Sequence, residues 1–580
     1  MARRPISACN IRFPLTILTY ARRENGDVTA LDAREGRRVA MAGASELAMS
    51  RAGLGLDVAA DFSGPDQTWR PEPALRGLLA PLDHLLISGG DARLSINPET
   101  GCNEYGCQPL ASPEPAGFSS STATSISARA YESAGRARDS LLPSVIALGI
   151  DEAFDSRIEA MRGELKRHLG LSDTNVEVVF SASGTDSQLH ALFLTQIALG
   201  RPLTTVIAAA DQTGSGTVYT ARGHHFGDLT AYGHRVRKGD PIDGVAGSVT
   251  SIALPLLDAN GDALSPAESD SLVIDAVRKA IESGSKVLLQ TMDSSKLGQH
   301  VPSDRCIRQI TDCWPDAVQI VVDACQMRLG RRRIRGYLAS GFMVLITGSK
   351  FFTGPPFSGA LLVPAGLSEA IGRTDLVASG LLDYSALSDW PKRWDLLRCR
   401  FPFRANFGPW LRWEAAIEEI RAYYSVPEAF RRSAIEQLGS GISHIIDASR
   451  SLRRLPLPPD LAGAALDDDE QQLTTIFAFT IERDGCGLSL DQCKEIYRKL
   501  RAHDCPVGQP VGWNNGSVAA LRICISARHV TEAWTPDQTL SLEALSLEAL
   551  SLEALASQNL KGAIDRVALI AAKIESILGG

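Results

Sequence analysis

The chain has 580 residues, 44% hydrophobic and 22% charged, which supplies apolar material for two or more well-buried domains and excludes a disordered chain. A formal net charge of -8 argues against nucleic acid as the main partner, because phosphate backbones are held by basic surfaces, and leaves a small molecule as the expected ligand. The 11 cysteines are irregularly spaced with no Cys-x-x-Cys pair, so no zinc or other metal site and no secreted disulfide framework is expected, and the setting reads as reducing and cytoplasmic.

The start, Met1-Ala2-Arg3-Arg4, leads into an apolar stretch, 11–20, that Arg12 and Pro14 interrupt, too little for an export segment. Nothing approaches the roughly 18 apolar residues of a membrane span, so no membrane partner is expected. Residues 1–85 carry no motif and are read as an extension of unknown role. Residues 86–165 read as an arm. It holds a loop crowded with Gly, Pro and Asn around Asn103 and Tyr105, a polar cluster from Ser119 to Ser125, and helical spacing over 126–139 and 151–169.

From 166 to 400, short apolar runs alternate with helical patterns, the βα rhythm of a mostly parallel sheet. The strand candidates are 176–181, 204–209, 286–291, 318–323, 342–347 and 359–363. A connecting helical region spans 401–472, with Asp467-Asp468-Asp469-Glu470 as a solvated turn. The tail, 473–580, reads as a strand from Leu473, a helix over 489–502, a strand over 518–526 and a final helix over 560–578: a small α/β domain. Within it the unit Leu-Ser-Leu-Glu-Ala recurs three times from Leu540. Its five-residue period fits neither a helix nor a coiled coil and is read as a tolerated expansion in a helical linker.

Two constellations carry chemistry. In the first, Val176-Glu177-Val178-Val179-Phe180 runs into Ser181-Ala182-Ser183-Gly184-Thr185-Asp186-Ser187 and then a helical stretch. Free N–H groups at a helix start, with the Thr185 hydroxyl, suit a phosphate, although taken alone the pattern is ordinary helix capping. In the second, an apolar run ends in Asp323-Ala324-Cys325-Gln326, and Lys350 follows 27 residues after Asp323, between another apolar run and Gly354-Pro355. An acid and a lysine at two buried strand ends are what pyridoxal 5'-phosphate (PLP) chemistry needs: the amine condenses with the cofactor aldehyde, and the acid keeps the pyridine nitrogen protonated. Alone, Asp323 reads as a turn residue and Lys350 as a surface lysine.

Thr347-Gly348-Ser349-Lys350, with the following run to Gly359-Ala360, resembles the Ser-x-His-Lys and Gly-Pro-x-Gly-x-Gly-Ala runs of fold-type I PLP-dependent enzymes, in the class V aminotransferase and cysteine desulfurase branch. The resemblance covers 170–365 well, 473–535 in part and 1–85 not at all. It implies a large domain with a mainly parallel seven-stranded sheet, a small C-terminal α/β domain built from both chain ends, and a homodimer. It also implies roles. Gly184, Thr185, Thr347 and Ser349 contact the cofactor phosphate, and Ser349 stands where the family has His. Asp323 faces the pyridine nitrogen, Gln326 the ring hydroxyl, and Lys350 carries the cofactor. Gln212, in Ala210-Asp211-Gln212-Thr213, occupies the place of the family's ring-stacking His, and His224 or His225 could line the site instead. Arg522, in Ala520-Leu521-Arg522-Ile523, corresponds to the arginine that grips the substrate carboxylate. Asn103 and Tyr105 fall where an N-terminal arm reaches into such sites.

The implied activity is a PLP-dependent transferase acting on an amino acid or related amine, with aminotransferase first. A cysteine desulfurase or C–S lyase is the alternative. Its nucleophile would be Cys505, 17 residues before Arg522, in a segment that itself reads as helix end, turn and strand start. The third reading is a non-catalytic PLP-fold regulatory protein.

Overall fold

The structure is a computed structural model that describes residues 71–111, 116–119, 123–258, 263–455, 473–513, 517–535 and 549–579. The extension before residue 71, the acidic turn Asp467–Glu470 and most of the first two repeat copies lie outside the described residues.

Seven strands form the central sheet: β1 (Glu177–Ser181), β2 (Leu203–Ile207), β3 (Val249–Ala253), β4 (Lys286–Met292), β5 (Val318–Asp323), β6 (Met343–Thr347) and β7 (Gly359–Val363). Their order is β1-β7-β6-β5-β4-β2-β3. Every pairing is parallel except those of β7, which runs antiparallel to both β1 and β6. The sheet is buried on both faces, as parallel sheets are, and this explains the unbroken apolar runs. On one face Leu288, Val321 and Leu345 pack against the helix Gly184–Leu199. On the other Val322, Val344 and Ile346 join the larger core that holds Trp410 and Trp413.

Six strands fall where the apolar runs place them, within two residues at either end. The seventh, β3, had no such signal. It is an edge strand whose residues are only partly buried, and Thr250 meets Thr204 through their hydroxyls at 3.0 Å. Polar partners there replace the apolar run that marks an inner strand.

The helix expected over 126–139 spans Ala128–Leu148, running on through Pro143 because Leu141 and Val145 continue the buried stripe of Ala130 and Ala134. The second spans Ile150–His168. In the tail, β8 (Leu452–Arg454), β9 (Ile476–Arg483), β10 (Cys486–Gly487), β11 (Gly508–Trp513) and β12 (Val518–Cys524) make an antiparallel sheet, ordered β10-β9-β12-β11 with β8 also on β9. The arm joins this domain: Phe118 N–H donates to the Pro506 carbonyl and Cys524 N–H to the Phe118 carbonyl. The final helix begins at Ala549, so the third repeat copy is helical, and Ile564 seats it against Gly441 of the helix Glu428–Ala448.

Candidate active site

In a parallel sheet the carboxyl ends of the strands open onto a common crevice. Asp323 is the last residue of β5 and Thr347 the last of β6, and the two strands are neighbours. Two hydrogen bonds lace the turns that follow them. Thr347 Oγ1 donates to the Cys325 carbonyl at 2.8 Å, and Phe351 N–H donates to the Gln326 carbonyl at 3.3 Å. Asp323 Oδ1 caps its own turn by accepting from Cys325 N–H at 3.0 Å, and Met327 takes a left-handed φ of 51° to complete it. Acid and lysine, far apart in sequence, therefore flank one crevice. The half-buried Lys350 amine makes no hydrogen bond or ion pair among the described residues.

The lysine loop is held from behind. Gly348 and Gly354 lie so close to Ala416 of the helix Phe407–Ser425 that neither has room for a side chain. From the same helix Trp413 Nε1 donates to the Gly359 carbonyl at 2.9 Å, and the buried Arg412 donates to the carbonyls of Phe357, Leu86 and Gly89. Burial without a carboxylate partner pulls the Arg412 guanidinium down to about 9. That anchor had no sequence motif to mark it.

The helix Gly184–Leu199 starts on top of these turns. A Cβ on Gly184 would stand 2.9 Å from Cys325 Sγ and 3.3 Å from Thr347 Cγ2, so the absence of a side chain permits the approach. Ser183 Oγ caps the helix, accepting from Thr185 and Asp186 N–H at 3.2 and 3.3 Å, and donates to Asp186 Oδ2 at 2.5 Å. Asp186 is only 3% exposed, and burial pushes its carboxyl up to about 7 against the opposing Ser183 hydrogen bond. Thr185 packs against Gly216, at the end of the Gln212 loop.

Gln212 is 2% exposed; its Nε2 reaches Asp211 Oδ2 at 3.4 Å, and its Oε1 has no partner among the described residues. Ser349 and Gln326 are also buried. From the small domain, Arg522 on β12 donates through Nε and Nη2 to the Gln509 carbonyl at 3.3 and 3.0 Å and through Nη1 to the Lys296 carbonyl at 3.1 Å. It makes no ion pair among the described residues, and burial lowers its pKa. One N–H on Nη1 and one on Nη2 are left for a further acceptor. Ala527 N–H to the Phe351 carbonyl at 2.8 Å, and Arg328 Nη1 to the Ile525 carbonyl at 2.9 Å, tie this domain to the lysine loop.

No sequence motif marks Lys296. Its amine donates to the Thr213 carbonyl at 2.7 Å, and burial, then Arg522 and Lys350, lower its pKa to about 8. The only sequence trace is an isolated lysine after an apolar run.

Other candidates sit less centrally. Asn103 Oδ1 accepts from Tyr105 and Cys107 N–H at 3.0 and 2.9 Å, so this amide oxygen folds its own turn. The turn nevertheless meets the lysine loop, since Asn103, Cys107, Pro355 and Pro356 line one cleft. Tyr105 shares Arg93 as an electrostatic neighbour with Asp186. His224 Nδ1 pairs with the Gly239 carbonyl at 2.7 Å within the 222–240 loop, and His225 Nδ1 with the Tyr384 hydroxyl at 2.6 Å outside it, so both rings are already engaged. Cys505 is 4% exposed in the larger core, its N–H bonded to the Leu500 carbonyl.

No cluster of His, Cys, Asp and Glu among the described residues could hold a metal ion, and no described helix is long and apolar enough to cross a membrane. No family model and no curated protein matches the chain. Among similar solved structures are a Catharanthus roseus tryptophan decarboxylase with L-tryptophan, at 12% identity over 94% of this chain and all of the other, with a TM-score of 0.46. A complex of the cystine C-S lyase C-DES with cysteine persulfide has 12% identity over 77% of this chain and 98% of the other, with a TM-score of 0.45. An S-selective transaminase from Bacillus megaterium has 14% identity over 78% and 86%, with a TM-score of 0.43. Likenesses this distant assign the chain no activity. Its own coordinates show the mostly parallel seven-stranded sheet that the resemblance to fold-type I PLP-dependent enzymes implies, with one antiparallel member, a second, antiparallel sheet in the tail, and Asp323 and Lys350 just at and after the ends of adjacent strands.

Proposed function

We propose that this chain is a PLP-dependent enzyme that acts on an amino acid or related amine through Lys350, and that its reaction is transamination. The observation that carries the reading is the unpartnered Lys350 amine beside a turn hydrogen-bonded to that of Asp323. The surrounding residues fit the cofactor. Asp323 has no ion-pair partner among the described residues, Gln212 Oε1 is buried and unsatisfied, and a helix start with a Thr hydroxyl approaches from the third side.

PLP, when bound, supplies an electron sink for the pair released at the substrate Cα. Asp323 would hold the proton on its ring nitrogen, and Gln326 and Gln212 would bracket the ring. Gly184, Thr185, Thr347 and Ser349 are the candidates for its phosphate. Arg522 would bind the substrate carboxylate with its two remaining N–H groups, which fixes the plane of the Cα substituents. Lys350, once the substrate amine has displaced it, would take the Cα proton as general base and deliver it as general acid to the cofactor rather than back to Cα, as transamination requires. Gln212 cannot titrate, which leaves that proton to Lys350. The burial of Cys505, with its thiol pushed up in consequence, favours transamination over a desulfurase that needs this cysteine on a mobile loop.

The test is spectroscopic. Addition of PLP to the purified protein is expected to give a visible absorbance band, and borohydride should then fix the cofactor to Lys350, as read by peptide mass. Lys350→Ala is expected to lose both signals. A band that survives Lys350→Ala would overturn Lys350 as the carrier, and no band at all would overturn the cofactor assignment. A band that no amino acid converts would instead overturn transamination.

A further inference from the structure

We propose that Lys296 and Arg522 form a two-point receptor for the two carboxylates of an acidic amino acid. The inference rests on the reading above that Arg522 takes the substrate carboxylate, and it names the second group on that substrate.

Lys296 stands at the tip of a closed loop after β4. Met292 and Val301 exchange both main-chain hydrogen bonds across its base, and Ser295 Oγ accepts from Leu297 and Gln299 N–H at 3.1 and 3.0 Å. Asp293 N–H donates to the Asp323 carbonyl at 3.0 Å, which fixes the loop beside the proposed ring-nitrogen partner. Leu297 packs with Ala478, Val511 and Ala520 on the small sheet. Arg522 lies opposite Ala478 and two residues beyond Ala520, so it shares their sheet face. The same packing that buries Leu297 thus sets the Arg522 guanidinium on the Lys296 carbonyl.

Charge then points to the ligand. Lys296 is within electrostatic reach of Arg522 and Lys350, and of two acids, Asp211 and Asp323. Asp211 is engaged: Oδ1 accepts from Leu256 N–H at 2.9 Å and Oδ2 from Gln212. None of the three cations makes an ion pair among the described residues. Buried cations without counter-ions are costly, and the lowered Lys296 pKa reflects this. One carboxylate satisfies the Arg522 fork, and a second within the length of a lysine stem satisfies the ammonium, whose remaining N–H groups have no acceptor among the described residues. The competing role for Lys296 is a staple that holds the Thr213 carbonyl. Lys296→Gln keeps an amide donor for that carbonyl and removes only the charge.

The experiment is calorimetric titration of the purified protein, at pH 7, with glutarate and with butyrate. Glutarate is expected to bind about tenfold more tightly or better, as one charge-assisted contact provides. Lys296→Gln should erase that preference and leave butyrate binding and the melting temperature unchanged, while Arg522→Gln weakens both ligands. The wild-type preference should also fall as pH passes about 8, where Lys296 loses its proton. Lys296→Gln is the control that separates this from Arg522, Lys350, Asp211 and Asp323, the other charged groups facing it. Equal binding of the two probes would overturn the receptor, and so would a Lys296→Gln variant that loses both ligands together and melts earlier. These titrations do not read the cofactor band, so failure of the PLP assignment and failure of the receptor are distinguishable.

Discussion

Gly184→Ala tests the juxtaposition on which the site depends, that of the helix start with the turns after β5 and β6. The new Cβ would stand 2.9 Å from Cys325 Sγ, where carbon-to-heavy-atom contacts usually settle near 3.5–4.0 Å. One of the two must therefore retreat by roughly 0.6 Å or more. Neither has an easy path, because Cys325 is buried and Gly359 backs directly onto Ser183 on the other side. Overpacking of this kind costs about 1–3 kcal/mol. Gly184 is not in the left-handed region, and alanine at a helix start is otherwise acceptable, so the effect is steric. Cys325→Ala removes the obstructing sulfur; alone it should cost about 1 kcal/mol as a small core deletion. The double variant leaves only Thr347 Cγ2, at 3.3 Å, and should recover most of the loss. The assay is urea denaturation of the four proteins in a double-mutant cycle, with a coupling of about 1–2 kcal/mol expected. A cycle that closes with no coupling, or a Gly184→Ala variant as stable as the parent, would show that the helix start does not rest on Cys325 and would remove the basis for placing a phosphate beside Lys350.

Two further predictions bear on the same turns. Thr347→Val keeps the volume but deletes the hydroxyl that donates to the Cys325 carbonyl, leaving that buried oxygen one donor short at a cost of about 1–3 kcal/mol; an unchanged denaturation midpoint would count against the bond. The buried Asp186 carboxyl titrates at about 7 in the fold, well above the usual carboxylate range, so the native state holds a proton that the unfolded chain has already released. Stability contributed here is present at low pH and declines as pH climbs from about 4 to about 7. Asp186→Asn should therefore match the parent near pH 4 and melt later than it at pH 8. A parent that stays the more stable protein at pH 8 would mean that Arg93 compensates the charge fully.

Much of the large domain can be read from local pattern. Fully buried parallel strands need continuous apolar runs, and six of seven strands carry one. The edge strand Val249–Ala253 is half-solvated, so no run was required and none is present. The same logic governs the tail, where Ile476–Arg483 and Val518–Cys524 are inner strands and legible, while Leu452–Arg454 and Cys486–Gly487 are short and peripheral.

Of the site, the residues that depend on chain direction alone were visible: Asp323, Thr347 and Lys350 at strand ends, and Gly184 at a helix start. The chemistry proposed for them is announced by neighbours in sequence. Arg412 and Lys296 were not visible. Each is a lone cation whose partners are main-chain carbonyls from distant segments, and a carbonyl leaves no mark in an amino-acid sequence. Composition and periodicity therefore determined the sheet and the two ends of the crevice, because burial and hydrogen-bond geometry act along the chain. Which cations crowd that crevice was decided only when the small domain laid Arg522 on the loop of Lys296, since electrostatic environment belongs to the assembled volume.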